Sequence, residues 1–150
     1  MEPIVFDAAD GEVIDAGPIR LRLLAQSPDH PIAVTDNVVP PGFPGPLRHR
    51  HAQITDIFYV LEGELTFDIG DERRTLGPGS FVLVPPGVVH TFSNPGSAAA
   101  RFLDIFLPAG IEQYLKQALA RMAAGAPWSP AEMAEVAARY DFEPVPAPPD

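Results

Sequence analysis

Cysteine is absent from this sequence of 150 residues, so the chain can form no disulfide and perform no thiolate chemistry. Basic residues are also few, because 10 Lys and Arg stand against 20 Asp and Glu, a net charge of −10. That charge argues against nucleic acid and anionic membrane surfaces, since both need a positively charged contact face. No apolar run approaches the roughly 18–20 residues of a membrane span, and the acidic start lacks the basic-then-apolar order of a signal peptide. We therefore expect a cytoplasmic protein with no nucleic acid or membrane partner.

Glycine and proline, by contrast, are abundant, with 12 and 19 residues, a content typical of many short strands joined by turns. Apolar stretches between 47 and 108 are each bounded by Gly, Pro or Asn, and this spacing predicts a β-sandwich or barrel. The Pro-rich stretch at 40–46 predicts a loop, because proline has no N–H to donate within a central strand. We predict an all-β fold in a single domain over 1–150, with the core barrel at about 17–108.

The C-terminal part has a different pattern. Apolar residues over 111–122 recur with the 3.6-residue period of an amphipathic helix. Ser129, followed by proline and then by Glu132, has the N-cap pattern of a second helix. We predict one or two α-helices over about 110–140, which form a structural cover on the sheet or a mobile lid over a pocket. A flexible tail is expected at 143–150.

Three of the four histidines fall in two patterned segments. His49 and His51 are two residues apart, so in a strand their side chains share one face. Asp56 opens the next predicted strand, where its carboxylate can face both imidazoles, and His90 lies in a further strand. Three imidazoles and a carboxylate from adjacent strands are suitable ligands for a divalent transition metal. The pattern therefore predicts one metal site.

These segments resemble the two motifs of the cupin superfamily, whose members are small β-barrels of the jelly-roll type. The first motif, Gly-x5-His-x-His-x3–4-Glu-x6-Gly, departs twice, because Phe43 replaces its opening glycine and Asp56 replaces its glutamate. The resemblance implies a single cupin domain with a double-stranded β-helix, similar to small quercetin-dioxygenase-like cupins. The second motif, Gly-x5-Pro-x-Gly-x2-His-x3-Asn, matches at every fixed position: Gly79, Pro85, Gly87, His90 and Asn94.

The aspartate at position 56 leaves three alternatives open. Aspartate is one methylene shorter than glutamate, a loss of reach of about 1.5 Å, and metal–oxygen distances of about 2.0–2.2 Å allow little slack. Asp56 therefore binds after a strand shift, binds through a water, or leaves a site of three histidines. Among metals we favour Fe(II), with Ni, Mn, Co or Zn as alternatives. A cupin without metal is the remaining interpretation.

Alternation along the strands predicts the walls of a pocket around this site. Phe58 and Val60 follow Asp56 by two and four positions, so they share the inward face of its strand. Val88 and Phe92 lie two positions to either side of His90 and share its inward face. The strand at 81–84 faces the pocket with either its odd-numbered or its even-numbered side chains, and we predict the odd-numbered Phe81 and Leu83. The register of the last strand is undetermined, and an inward Asp104 is a candidate base. The predicted pocket suits a small hydrophobic or aromatic molecule, and its residues are Phe58, Val60, Phe81, Leu83, Val88, Phe92 and Asp104.

The cupin resemblance implies relatives that include dioxygenases, isomerases and cyclases. Within this range we predict a metal-dependent enzyme with oxygenase-type chemistry on a small hydrophobic or aromatic substrate. Asp56 and Gln53 are the predicted catalytic residues, since Gln53 continues the inward alternation of His49 and His51. A non-redox isomerase or cyclase, and a small-molecule-binding cupin without turnover, are the alternatives. Expected partners are the substrate, O₂ and a second copy of the chain, because the resemblance suggests a homodimer and the apolar N-terminal segments could extend a neighbour's sheet.

Overall fold

Antiparallel strands build two sheets that enclose an apolar core. The computed structural model describes residues 1–149. Its strands are β1 (Glu12–Ala16), β2 (Ile19–Ala25), β3 (Ala33–Val39), β4 (His49–Arg50), β5 (Thr55–Glu62), β6 (Leu65–Ile69), β7 (Glu72–Leu76), β8 (Phe81–Val84), β9 (His90–Ser93), β10 (Ala100–Leu107) and β11 (Glu143–Pro144). The helices are α1 (Ile111–Ala123), α2 (Pro130–Ala137) and a 3-10 turn at Ala138–Tyr140.

The strand order in the first sheet is β1-β2-β3-β10-β5-β8, and in the second it is β11-β4-β9-β6-β7. Phe58 of β5 and Phe102 of β10 point from the first sheet towards Phe67 of β6 in the second, and all three are buried. Phe58 and Phe67 meet edge to face with ring centroids 5.2 Å apart, a favourable arrangement for aromatic pairs. The predicted all-β jelly-roll fold with C-terminal helices is confirmed.

The boundaries differ from the prediction at both ends. The first sheet begins at β1, before the predicted limit of 17. The prediction missed this strand because its sequence carries little apolar alternation, and only Ala16 of its residues is buried. The tail predicted to be flexible from 143 contains β11, which pairs with β4, so that prediction is wrong at 143–144. Asp150, the last residue of the predicted tail, lies outside the described residues.

Gly45 brings the Pro-rich loop against β9. Its φ of +78° lies in the left-handed region that favours glycine, and a Cβ at this position would overlap the carbonyl oxygen of Phe92. Phe43, which stands where the cupin motif has glycine, forms a bridge with Asn94 just before this contact. This close approach lies two residues after the glycine position of the motif, shortly before the chain enters β4.

The helices pack as a second apolar cluster beside the core. Ile111 and Tyr114 of α1 are buried together with Phe106 of β10 and with Phe142, which follows the 3-10 turn. The predicted start of α2 is confirmed, because the Ser129 side chain accepts a hydrogen bond from the Glu132 backbone N–H and the Glu132 carboxylate accepts one from the Ser129 N–H. Within residues 1–149, neither helix combines the length and apolar character needed to cross a membrane.

Candidate metal centre

Four side chains from three strands and one adjoining loop converge in the interior. His49 lies on β4 and pairs in register with His90, the first residue of β9. His51 follows β4 directly, and Asp56 is the second residue of β5. All four side chains are buried, and one potential ligand atom from each lies within 4.8 Å of the others. The structure therefore brings together the complete predicted ligand set.

The shorter aspartate reaches the cluster. Asp56 Oδ2 lies 3.1 Å from His90 Nε2 and 3.7 Å from His51 Nε2. Two ligands at right angles on one ion, each about 2.0–2.2 Å from it, stand about 3 Å apart. Asp56 and His90 thus already have the separation of neighbouring ligands, and the missing methylene does not keep the carboxylate away from the imidazoles.

Backbone carbonyls determine the tautomer of all three imidazoles. His49 Nδ1 lies 2.6 Å from the Leu47 oxygen, and His90 Nδ1 lies 2.9 Å from the Val88 oxygen. His51 Nδ1 lies 2.6 Å from the carbonyl oxygen of Asp141. A carbonyl only accepts, so each Nδ1 donates its proton and each neutral ring presents its Nε2 lone pair to the cluster. Metal-binding histidines have this arrangement.

Some polar atoms of the cluster lack partners. Among the described residues, His51 Nε2 and Asp56 Oδ1 are buried and make no hydrogen bond, although buried polar atoms are normally paired. His90 Nε2 and Asp56 Oδ2 are in contact, and when both present lone pairs that contact needs a proton or a cation. A divalent transition metal would satisfy these atoms together, so the residues present fit such an ion.

The electrostatics favour the ligand forms of His49 and Asp56. Burial, together with the charges of the neighbouring His90 and His51, lowers the pKa of His49 to about 3. Burial would raise the pKa of Asp56, but its close contacts with the His51 and His90 rings outweigh that effect and lower the pKa. Burial would lower the pKa of His51, but the neighbouring Asp56 carboxylate and the hydrogen bond to the Asp141 carbonyl raise it instead. Asp56 is therefore an anion and His49 a neutral imidazole.

Asp104 lies beside the cluster on the inward face of β10. Its register partner on β5 is Phe58, so the structure resolves the undetermined last strand with Asp104 facing inward. Burial raises the pKa of Asp104 well above its ordinary value, and the charge of the neighbouring Asp56 adds to that rise. Its Oδ1 atom is buried without a partner. Asp104 can therefore keep a proton at a pH where Asp56 is ionised.

An apolar cavity of about 340 Å³ opens onto these groups. Five of the predicted site residues line it, namely His49, Asp56, Phe58, Phe92 and Asp104. The helices supply a further wall of this pocket, and the mobility of such a lid stays a prediction. The lining from the helices is Ile111, Tyr114, Leu115, Ala118, Leu119, Met122, Met133 and Ala134. Such a volume and lining suit a small, largely apolar organic molecule.

Four predicted pocket residues do not line the cavity. Phe81 and Leu83 are 60% and 49% exposed on the outer face of β8, because the even-numbered residues of that strand fill the core. The prediction that they face the pocket is wrong. Val60 is fully buried within the core, and Val88 packs against the core from a half-buried position. Both pack with the core side chains, but neither lines the cavity.

The prediction that Gln53 is catalytic is also wrong. The alternation that pointed to it ends with β4, since the chain after Arg50 turns away from the sheet, and Gln53 is exposed. Only its backbone takes part, with the N–H donating to Asp141 Oδ2 at 2.9 Å.

Two further residues at the site were not predicted from the sequence. Asp141 contacts His51, and the ring of Phe142 stacks on His49 with centroids 4.2 Å apart and planes at 19°. Both lie in a segment distant in sequence from the two motifs. Their only local signal is an aspartate just after a helix, a position where the left-handed conformation is common.

Comparisons with known proteins agree with this fold. The Cupin domain family matches residues 37–106. Quercetin 2,3-dioxygenase from Bacillus subtilis (strain 168) is 26% identical over 116 residues, which cover 76% of this chain and 34% of that protein. The chain spans between 31% and 50% of the length of the curated relatives it matches.

Among solved structures, KdgF from a Halomonas species has a TM-score of 0.64 at 18% identity, over 75% of this chain and 99% of that one. An RmlC-like cupin from Shewanella frigidimarina has a TM-score of 0.63 at 24% identity, over 75% and 96% of the two chains. At these identities the likeness concerns the fold.

Proposed function

Since the chain belongs to the cupin superfamily, we propose that it is a metal-dependent enzyme acting on a small hydrophobic or aromatic molecule by oxygenase-type chemistry. One observation carries this proposal. Three imidazoles with inward Nε2 lone pairs and a carboxylate with an unpartnered oxygen meet beside an apolar cavity. The similarity to a protein named quercetin 2,3-dioxygenase supports the oxygenase assignment.

His49, His51, His90 and Asp56 would hold one divalent transition metal ion. Fe(II) is the proposed ion, because imidazole and carboxylate ligands together suit it, and Ni, Mn, Co or Zn are the alternatives. When bound, the ion would supply Lewis-acid polarisation of the substrate and, for a redox-active metal, electron transfer with O₂.

The residues around the metal site have separate tasks. Phe58, Phe92 and the α1 side chains exclude water and hold the apolar part of the substrate. Asp104, with its unpartnered Oδ1 facing the same space, holds a proton that it can exchange with the substrate. Asp56 remains ionised through its contacts with the imidazoles, so the two carboxyl groups differ in protonation. The chain thus offers a dry binding site, an anionic metal ligand and a neutral acid.

The proton on Asp104 specifically favours a second candidate, a non-redox isomerase or cyclase. Such reactions move a proton within the substrate and need no oxidant. Oxygen dependence separates the two candidates. A panel of phenolic and enolic compounds would be incubated with metal-loaded protein in air and under anaerobic conditions. Oxygen uptake with turnover lost under anaerobic conditions is expected, whereas anaerobic turnover would establish the second candidate.

The same experiment includes a test of the metal site. Elemental analysis of protein purified without added metal should give one ion per chain for the wild type. His90→Ala should lose most of the metal, since it removes one of the three imidazoles that hold the ion. His30→Ala is the matched control, because His30 lies outside the cluster, and its metal content should not change. Unchanged metal content in His90→Ala would contradict the assignment, and a metal-free wild type that binds ligand without turnover would indicate a binding protein.

We also propose a homodimer. The outer face of the first sheet carries exposed Tyr59, Phe81 and Leu83. The register places Tyr59 opposite both Phe81 and Leu103, so these side chains form one continuous apolar surface. The N-terminal segment adds exposed Val5 and Phe6. An apolar patch of this kind is typical of a protein interface, and a second copy of the chain is the proposed occupant.

A further inference from the structure

We propose that Asp141 is a positioning residue for the metal site, and that residues 141–145, here called the strap, complete that site. The inference rests on the proposed metal site and goes beyond it. The four ligands lie between residues 49 and 90, inside the cupin motifs. The groups that orient one of them lie in the strap, outside the motifs and outside the matched family region at 37–106.

The Asp141 carboxylate holds the turn that follows His51. Its Oδ1 accepts a hydrogen bond from the Ala52 N–H at 2.6 Å, and its Oδ2 accepts from the Gln53 and Ile54 N–H groups at 2.9 and 3.0 Å. Three consecutive backbone amides thus converge on one anion, and hydrogen bonds to an ionised acceptor are the stronger kind. The turn connects His51 to β5, so its shape determines how His51 and Asp56 lie relative to each other.

The backbone of the same residue holds the imidazole. The Asp141 carbonyl accepts the Nδ1 proton of His51 at 2.6 Å. His49 and His90 instead donate to carbonyls of the residues two positions before them. Two of the three imidazoles therefore acquire their tautomer locally, whereas His51 depends on a partner 90 residues away in sequence. Hydrogen bonds of this type usually change metal affinity by about 10–100-fold when removed.

The conformation of Asp141 makes both contacts possible. Its φ and ψ of 59° and 44° are left-handed, and this turn directs the side-chain and carbonyl oxygens of one residue to the same loop. Aspartate tolerates this conformation better than most residues with a side chain. Glycine tolerates it fully, which makes Asp141→Gly a variant that removes the carboxylate without adding backbone strain.

The rest of the strap anchors Asp141 along β4. Glu143 pairs in register with Arg50, and their side chains form a bidentate ion pair with distances of 2.7 and 2.9 Å. The Val145 N–H donates to the Arg48 carbonyl at 2.8 Å. Phe142, which directly precedes these two points, covers the ring of His49. The strap therefore closes the side of the ligand cluster that β9 leaves open.

The test compares three variants in the full chain. Asp141→Gly removes the carboxylate, and Asp141→Asn keeps one acceptor oxygen and the left-handed tolerance. Glu135→Gln is the matched control, because it removes a carboxylate charge at an exposed ion pair with Arg139 that lies outside both the strap and the cluster. The first readout is the affinity for Co²⁺ added to chelator-treated protein, followed by its visible absorption. The second is the tautomer of each histidine in metal-free protein, measured by long-range ¹H–¹⁵N NMR.

Asp141→Gly should bind Co²⁺ about 10–100-fold more weakly than the wild type, and Asp141→Asn should lose less. Glu135→Gln should stay within about twofold. In Asp141→Gly the three hydrogen bonds from the turn at 52–54 are lost, so the backbone carbonyl of residue 141 is no longer held against His51. The His51 ring should therefore lose its single Nδ1-protonated form, while His49 and His90 keep theirs. A merely structural role would disturb all three rings or none, so either pattern overturns the proposal, as does wild-type Co²⁺ affinity in Asp141→Gly. If the wild type binds no Co²⁺, the proposed function fails, and the His51 tautomer in the metal-free variants still decides the role of Asp141.

Discussion

Acidification of the metal-free protein should destabilise it through His49. The buried ring has a pKa lowered from 6.5 to about 3, so the folded chain binds this proton more weakly than the unfolded chain does. Falling pH therefore favours unfolding. The loss begins near pH 6.5, where the unfolded imidazole takes up its proton, and it is complete near pH 3, where the folded one does.

The size of the effect follows from the two pKa values. One pKa unit corresponds to about 1.36 kcal/mol, so at pH 5 the free energy of unfolding should be about 2 kcal/mol lower than at pH 8. The full difference, reached below pH 3, is about 5 kcal/mol for the shift from 6.5 to about 3. Because small domains are stable by about 5–15 kcal/mol, the change at pH 5 is large enough to measure.

Other groups of the cluster titrate as well. The raised pKa of His51 contributes stability that is present below pH 6.5 and is lost as pH rises through the folded value. The lowered pKa of Asp56 contributes stability that is present above about pH 3.8 and is lost as pH falls through the folded value. A comparison with His49→Gln, which keeps a polar side chain but cannot titrate, isolates the contribution of His49.

Urea unfolding in the presence of a chelator, at pH 8, 6.5 and 5, provides the assay. Between pH 8 and pH 5 the wild type should lose about 2 kcal/mol more of its free energy of unfolding than His49→Gln does. His30→Gln serves as the control, since it removes an imidazole outside the cluster and should give a curve parallel to the wild type. Parallel curves for wild type and His49→Gln would refute the reasoning. Added Zn²⁺ should flatten the wild-type profile, because the metal occupies the ligand that the proton would take.

Two further predictions concern Asp56 and the outer sheet face. Asp56→Ala should retain much of the metal through the three imidazoles but change turnover. Asp56→Glu should bind the metal at least as tightly as the wild type. Outright loss of metal in Asp56→Ala would show instead that the carboxylate is a required ligand. Phe81→Glu places a charge in the exposed apolar surface, so light scattering at micromolar concentration should show a dimer for the wild type and a shift towards monomer for the variant. A monomeric wild type would contradict the proposed homodimer.

The sequence could reveal the ligand cluster because its four members follow strand alternation at short range. His49 and His51 share a face, and the second motif fixes the turn that leads into His90. Alternation also predicted that Phe58 and Phe92 face inward. Alternation could not decide which side chains of β8 face inward, because all four residues of that strand are apolar. The outward pair, Phe81 and Leu83, is exposed although neither side chain is polar.

The strap lay beyond this kind of reasoning. Pairing between β11 and β4 joins residues about ninety positions apart, and neither two-residue strand has a periodicity to detect. The residues after Tyr140 are rich in proline, which is typical of a flexible tail. Only the tertiary contacts show that Asp141 satisfies three amides and an imidazole, and such contacts leave no pattern in the local sequence. Gln53 failed for a related reason, since the strand that would have turned it inward ends at Arg50.

The distance in sequence between His51 and its carbonyl partner has a consequence for the order in which the site forms. The two residues are 90 positions apart, and at about 5–20 residues per second the ribosome needs about 5–18 s to travel from one to the other. From the synthesis of His90 onwards the emerging chain carries the ligands of both motifs, while the carbonyl partner of His51 has not yet been made. At the proposed metal site, tight capture of the ion would therefore begin only after Asp141 has left the ribosome and docked, so loading of the ion would follow synthesis of the barrel.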